Sequence, residues 1–283
     1  MDNTVSKIAD SLLPIEMARK CEFLGEKKAN LNFASTLVLS ILAGAFIGLG
    51  GMFYTVAVTT GDVEVSFGTK KLLGGLAFSL GLILVIVAGA ELFTGNNLIS
   101  MAWASRRIST KELIRNWSVV YVGNFIGSVG IASLAHVSNL ADQGGGAVGQ
   151  TMLSIAEYKC ELNGTHAFAA GIGCNVLVCL AVWLCLSARS VTDKIVAIVF
   201  PITAFVATGM EHCVANMYFI PVAMMGELAT DSNSLTIGNF ILQNLIPVTL
   251  GNIFGGSVLV GLVYWFVYLR NEAIDSNVDT KRQ

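Results

Sequence analysis

Six apolar blocks, each long enough to cross a lipid bilayer and almost free of charge, limit what this chain can fold into. A spanning helix needs roughly 20 apolar residues. The blocks run near 33–57, 72–104, 117–138, 165–188, 195–226 and 236–269. They predict an all-α polytopic membrane protein with six transmembrane helices. Only 13% of the chain is charged, against about 25% in an ordinary soluble domain. So few charges cannot cover a surface exposed to water. That excludes a disordered chain, a nucleic-acid-binding protein with a basic patch and most soluble enzymes.

The second and fifth blocks exceed the minimum length and carry an acid with small or polar residues in mid-block. This pattern predicts broken helices. Residues 1–32, with an amphipathic stretch from Ile8 to Lys28, read as an N-terminal cytoplasmic segment. Residues 33–269 form the six-span domain and 270–283 a cytoplasmic tail. If both termini share one face, fourteen of the seventeen Lys and Arg lie on it. The other face keeps Lys70, Lys71 and Lys159. Short basic loops stay in the cytoplasm, so both termini are expected inside.

The two halves repeat. Gly89, Glu91 and Asn96 in the second block recur as Gly209, Glu211 and Asn216 in the fifth. Gly123-Asn124 and Gly127 in the third recur as Gly251-Asn252 and Gly255 in the sixth. The repeat units are expected at 33–138 and 165–269. Three spans per unit is an odd number, so the units lie in opposite orientations. Such inverted repeats place a pathway on the pseudo-two-fold axis near the midplane.

Glu91 and Glu211 are the only acids inside the blocks, at equivalent positions. A buried carboxylate must be paired or hydrogen-bonded. One reading is a proton or cation site. The favoured reading is a helix-break cap, in which Glu91, Glu211, Asn96 and Asn216 serve the backbone N–H groups freed at each break. His212 breaks the symmetry, because its counterpart is Leu92. A single His near the midplane can donate to an anion. Thr94 supplies a neutral hydroxyl. Asn175 and Asn252 either pack helices together or line the pathway. No GxSxG, HExxH or P-loop pattern occurs, and no metal or cofactor is implied.

At these residues the sequence resembles the formate–nitrite transporter family. Val87-Ala88-Gly89-Ala90-Glu91-Leu92-Phe93-Thr94-Gly95 looks like one family signature, and Gly171-Ile172-Gly173-Cys174-Asn175-Val176-Leu177-Val178-Cys179-Leu180-Ala181 like another. Glu211-His212-Cys213-Val214-Ala215-Asn216-Met217 resembles a third stretch, and the likeness runs from about Leu13 to Arg270. Within the family, Leu12-Leu13-Pro14 and Asn244-Leu245-Ile246-Pro247-Val248-Thr249 look like the formate-channel branch. That branch more often has Asp where this chain has Glu91, so a nitrite or hydrosulfide channel stays open as an alternative.

The resemblance implies an aquaporin-like protomer in a homopentamer of the bacterial cytoplasmic (inner) membrane. The implied solutes are formate or a similar small monoacid anion and protons. It further implies central polar groups at His212, Thr94 and Asn175. Apolar constrictions are implied at Phe78, Leu82, Leu92, Phe205 and Val178, and vestibule lysines at Lys28 and Lys159. A reading of a different class is an intramembrane enzyme using Glu211 and His212. Purified protein in liposomes that moves solute without turning it over separates the two.

The orientation is checked with a membrane-impermeant amine reagent. Lys70 should react from the outer side of intact cells and Lys111 only after the membrane is opened. Labelling of Lys70 from the cytoplasmic side alone would overturn it.

Overall fold

The computed structural model describes residues 11–61 and 63–271, with backbone alone at 230 and 231. Lys7 at one end and the tail from 272, with Lys281 and Arg282, lie outside the described residues. The described residues are helical and contain no strand.

Helix α1 (Pro14–Ala29) starts with Pro14 at its first position, and the Leu13 N–H donates to Glu16 Oε2 at 2.8 Å. Its apolar face, Met17, Ala18 and Cys21, packs on Trp183, Leu186 and Leu269. Burial pushes the Cys21 thiol up to about 12, which leaves it an inert packing group. Helix α2 (Phe33–Val58) is capped by Asn32, whose side chain accepts from the Ser35 N–H. Helix α3 (Phe67–Ala88) ends at Gly89, which adopts φ 82°, a left-handed conformation that glycine takes without penalty. The chain then runs extended through Leu92 and re-enters helical turns as α4 (Phe93–Asn96) and α5 (Ser100–Ala104). Helix α6 (Thr110–Val137) begins seven residues before the apolar block. A capping box starts it there: the Ser109 N–H and hydroxyl bond Glu112, holding that carboxyl below the usual range.

Helix α7 (Ala147–Cys160) lies where the apolar blocks predict only a connection. Helix α8 (Gly164–Ser187) follows, then α9 (Val191–Ala207), started by a Ser190–Asp193 capping box. Gly209 repeats the left-handed turn of Gly89 with φ 73°. His212 is extended, and α10 (Cys213–Met224) resumes the helix. Helix α11 (Ile237–Tyr268) includes two π-helical stretches, Phe240–Leu245 and Phe254–Leu262. Among the described residues, five helices are long and apolar enough to cross a membrane: α2, α3, α6, α8 and α11. Helix α10 is apolar but shorter.

Two helix crossings hold the repeat units together, and both depend on glycine. A Cβ at Gly127 of α6 would overlap the Ile41 carbonyl oxygen of α2. A Cβ at Gly251 of α11 would overlap the Phe168 carbonyl oxygen of α8. Only glycine lets these backbones approach so closely. Helices α1 and α7 precede α2 and α8, with Lys28 and Lys159 in their last turns.

Gly127→Ala and Gly251→Ala should each destabilise the fold by about 1–3 kcal/mol, the cost of overpacking. Gly130→Ala, where no atom lies within 4 Å of the new Cβ, should be neutral or mildly stabilising. Thermal unfolding in detergent checks the contrast.

A candidate permeation site between two cavities

Each helix break presents the same problem. An interrupted helix leaves backbone N–H groups without intrahelical partners, and an apolar layer supplies no water to replace them. At the first break, Phe93 N–H donates to Asn124 Oδ1 at 2.8 Å. The amide of Asn124 donates to the carbonyls of Ser40 (2.7 Å) and Glu91 (2.9 Å). At the second break, Cys213 N–H donates to Asn252 Oδ1 at 2.9 Å. Asn252 in turn donates to the carbonyls of Gly171 (2.8 Å) and Glu211 (3.0 Å). The Glu91 and Glu211 N–H groups reach the Leu39 and Ala170 carbonyls. Asn124 and Asn252 are thus equivalent clamps, each joining a break to two neighbouring helices.

This corrects the expected caps. The carboxylates of Glu91 and Glu211 accept from side chains, not from the freed backbone. Lys28 Nζ donates to Glu91 Oε1 at 2.9 Å and to Asn96 Oδ1 at 3.0 Å. Asn96 Nδ2 donates to Glu91 Oε2 at 2.7 Å and to Asn116 Oδ1 at 3.0 Å. In the second half, Lys159 Nζ donates to both oxygens of Glu211, at 2.8 and 3.0 Å. Asn216 Nδ2 donates to Glu211 Oε2 at 2.7 Å and to Asn244 Oδ1 at 2.6 Å. The lysines are therefore the partners of the buried acids, which compensates their charge. Asn116 and Asn244 complete the two networks, and their amides bond the Lys28 and Lys159 carbonyls. Both lie eight residues before the clamps Asn124 and Asn252, so they extend the repeat of the third and sixth blocks, and that common spacing was the signal that could have found them.

Asn175 and Asn252 are clamps, which corrects their expected place in a pathway. Asn175 Nδ2 lies 2.7 Å from Asn97 Oδ1, 2.7 Å from the Asn252 carbonyl and 3.2 Å from the Thr94 carbonyl. Both residues are fully buried, and neither lines a cavity.

Two cavities open at opposite ends of α3. The larger, about 780 Å³, reaches Phe67, Lys70 and Lys71 at the start of α3 and ends on Phe78, Phe205 and His212. The smaller, about 360 Å³, lies beneath α1 and ends on Leu82 and Leu92. Phe78 and Leu82, one helical turn apart, separate them. Phe78 and Phe205 meet edge to face, with centroids 5.7 Å apart. Val178 is buried in the same core and lines neither cavity.

His212 sits at this divide. Its Nδ1 accepts from the Ala215 N–H at 3.0 Å, capping α10. Its Nε2 lies 2.8 Å from Thr94 Oγ1, which ties the second break to the first half. Because Nδ1 is occupied as an acceptor, the neutral ring carries its proton on Nε2. Thr94 Oγ1 then accepts that proton, and its own hydroxyl hydrogen is free to turn elsewhere.

A family model described as "Formate/nitrite transporter" matches residues 15–266. The chain belongs to the formate/nitrite transporter family. The formate channel FocA of Escherichia coli strain K12 is 43% identical over 274 residues, covering 92% of this chain and 96% of that protein. A protein named as a probable formate transporter in Methanothermobacter thermautotrophicus is 39% identical, covering 91% and 97%. Among solved structures, a pentameric formate channel with formate bound has a TM-score of 0.77 and 46% identity, covering 84% of this chain and 98% of that one. An ion channel of the same family has a TM-score of 0.80 and 32% identity, covering 89% and 98%. With these relatives and its apolar helices, the family member is a multi-pass membrane protein of the channel and transporter class, not an enzyme.

The Lys159–Glu211 pair is the more deeply buried, with side chains 12% and 2% exposed against 34% and 8% for Lys28–Glu91. Glu211→Gln should cost about 3–5 kcal/mol by leaving an ammonium without its counter-charge. Lys159→Met with Glu211→Gln should recover most of that loss. Glu91→Gln should cost less. Thermal denaturation of the four proteins in detergent checks the order.

Proposed function

We propose that this protein is a channel for formate and related small monovalent anions, a homopentamer in the bacterial cytoplasmic membrane with both termini inside. Spans two and five of its aquaporin-like protomer are α3–α5 and α9–α10, each interrupted at a glycine. The larger cavity is the outer vestibule and the smaller the inner one. The observation that carries this reading is the hydrogen-bonded pair of His212 and Thr94, set beside an apolar divide between two cavities. The family and the formate channels among its relatives support it.

The charge distribution suits an anion. Lys28 and Lys159 are neutralised by their glutamates. Each cavity keeps two further lysines without a carboxylate partner among the described residues, Lys70 and Lys71 in the larger and Lys20 and Lys194 in the smaller. These raise the local concentration of anions at both mouths. A dehydrated charge cannot cheaply pass Phe78, Phe205, Leu82 and Leu92. A monoacid passes them as its neutral form, taking a proton on one side and releasing it on the other.

His212 assists by donating from Nε2, directly or through the Thr94 hydroxyl, to an oxygen of the solute. Its Nδ1 is committed to the Ala215 N–H. Proton uptake there would uncap α10, so the ring serves as a fixed donor and the crossing proton travels with the solute.

His212→Phe removes the donor and one cap. In proteoliposomes it should lower formate flux by up to about ten-fold, the worth of a lost hydrogen bond between neutral groups. His212→Asn, which keeps a side-chain acceptor for the Ala215 N–H and a donor group, should recover part of the flux. Unchanged rate and pH dependence in His212→Phe would sink the mechanism.

A further inference from the structure

The two cavities carry similar charge and have different walls. Each holds two lysines outside the ion pairs with Glu91 and Glu211. Six Phe and Tyr rings line the larger cavity: Tyr54, Phe67, Phe78, Tyr158, Phe205 and Phe219. No aromatic side chain lines the smaller. A one-carbon anion needs none of these rings and little of a cavity of about 780 Å³. Sites that enclose whole organic molecules run to roughly 300–1,000 Å³ and are walled by apolar and aromatic groups with a few polar ones.

The rings differ in what covers them. Phe78, Phe205 and Phe219 are buried and pack on one another at the divide. Phe67 and Tyr158 are 78% and 57% exposed, and Tyr54 is half-buried, so these three can meet a solute. Lys71 Nζ stands 5.5 Å from the centroid of the Phe67 ring, and Lys70 lines the same cavity. Neither lysine has a carboxylate partner among the described residues. Open rings and uncompensated cations therefore share one wall.

We propose that the larger cavity is a binding site for aromatic monoanions, carboxylates or sulfonates, whose charge pairs with Lys70 and Lys71 while the ring lies on Phe67, Tyr158 and Tyr54. Such an anion enters but does not cross. Phe78 and Phe205 meet edge to face with centroids 5.7 Å apart, a contact that leaves no gap for a third ring. A bound aromatic anion thus occludes the route from that side. The smaller cavity matches the charge through Lys20 and Lys194 but offers the ring no partner. Binding at this wall goes beyond the transport reading and does not need it; only the blocking of formate rests on both.

Benzenesulfonate tests the site, because its permanent charge keeps it on the side where it is added. Calorimetric titration of the purified full chain should show it binding. Cyclohexanesulfonate, of like charge and size but without a π face, should bind roughly two- to ten-fold more weakly, the worth of an aromatic contact beyond its area. Phe67→Leu keeps the apolar contact. It should weaken benzenesulfonate by a similar factor while leaving cyclohexanesulfonate and formate flux unchanged. Lys70→Gln with Lys71→Gln should weaken both sulfonates. In vesicles of one orientation, benzenesulfonate should block formate flux from the side of the larger cavity alone. No binding, equal affinity for the two sulfonates, or equal block from both sides overturns the site, and each is read on the unmodified chain. An unchanged benzenesulfonate affinity in Phe67→Leu overturns it as well. A chain that binds benzenesulfonate in this pattern but carries no formate would instead overturn the transport reading and leave the site standing.

Discussion

Every backbone N–H released where a helix stops inside an apolar layer must find another partner, and the rest of this structure follows from how that requirement is met. Two breaks place helix ends, at Phe93 and Cys213, inside the buried core. Each frees polar groups that lipid cannot satisfy. Asn124 and Asn252 satisfy them from neighbouring helices, and in doing so fix where α6 and α11 stand. Those helices can reach the breaks only because Gly127 and Gly251 let them cross α2 and α8 at backbone contact. The glycines, the asparagine clamps and the breaks are therefore one device, used twice.

The buried acids belong to the same device at one remove. Glu91 and Glu211 lie on the extended segments, whose backbones the clamps hold. Their carboxylates cannot stay bare, and the lysines that balance them come from α1 and α7. Each short helix is thereby pinned over a cavity by a buried or half-buried ion pair. Such a pair adds little net stability over an apolar isostere, but it penalises any arrangement that separates the charges. Its effect is to fix where the two short helices sit, and so to shape the walls of both cavities.

The sequence showed which positions repeat better than what they touch. Gly89 and Gly209 were legible as break points because their offsets to Glu and Asn recur, and both adopt the left-handed turn. The repeat of Asn124 and Asn252 was visible too, but spacing reports recurrence and not partners. Their clamping role, and the pairing of Lys28 with Glu91 across 63 residues, exist only in three dimensions. Helix α7 escaped notice because it is too short to cross a bilayer and too mixed in character to stand out as an apolar block. Asn116 and Asn244 share one spacing to the clamps, eight residues, but Asn116 falls just outside the apolar block and a lone Asn carries no sign of a partner on another helix.

Where the symmetry fails, chemistry enters. The first break has Leu92 at the position of His212, so its helix lacks a side-chain cap there, while the second gains one from Nδ1. That cap does more than satisfy the Ala215 N–H. It fixes the tautomer, and the proton on Nε2 then faces Thr94 in the opposite half. A symmetric pair of leucines would close the divide with apolar groups alone. A symmetric pair of histidines would set two donors against each other. One imidazole, locked by the helix it caps, leaves a single oriented donor where the two halves meet. The backbone constraint that created the breaks thus decides which way that donor points.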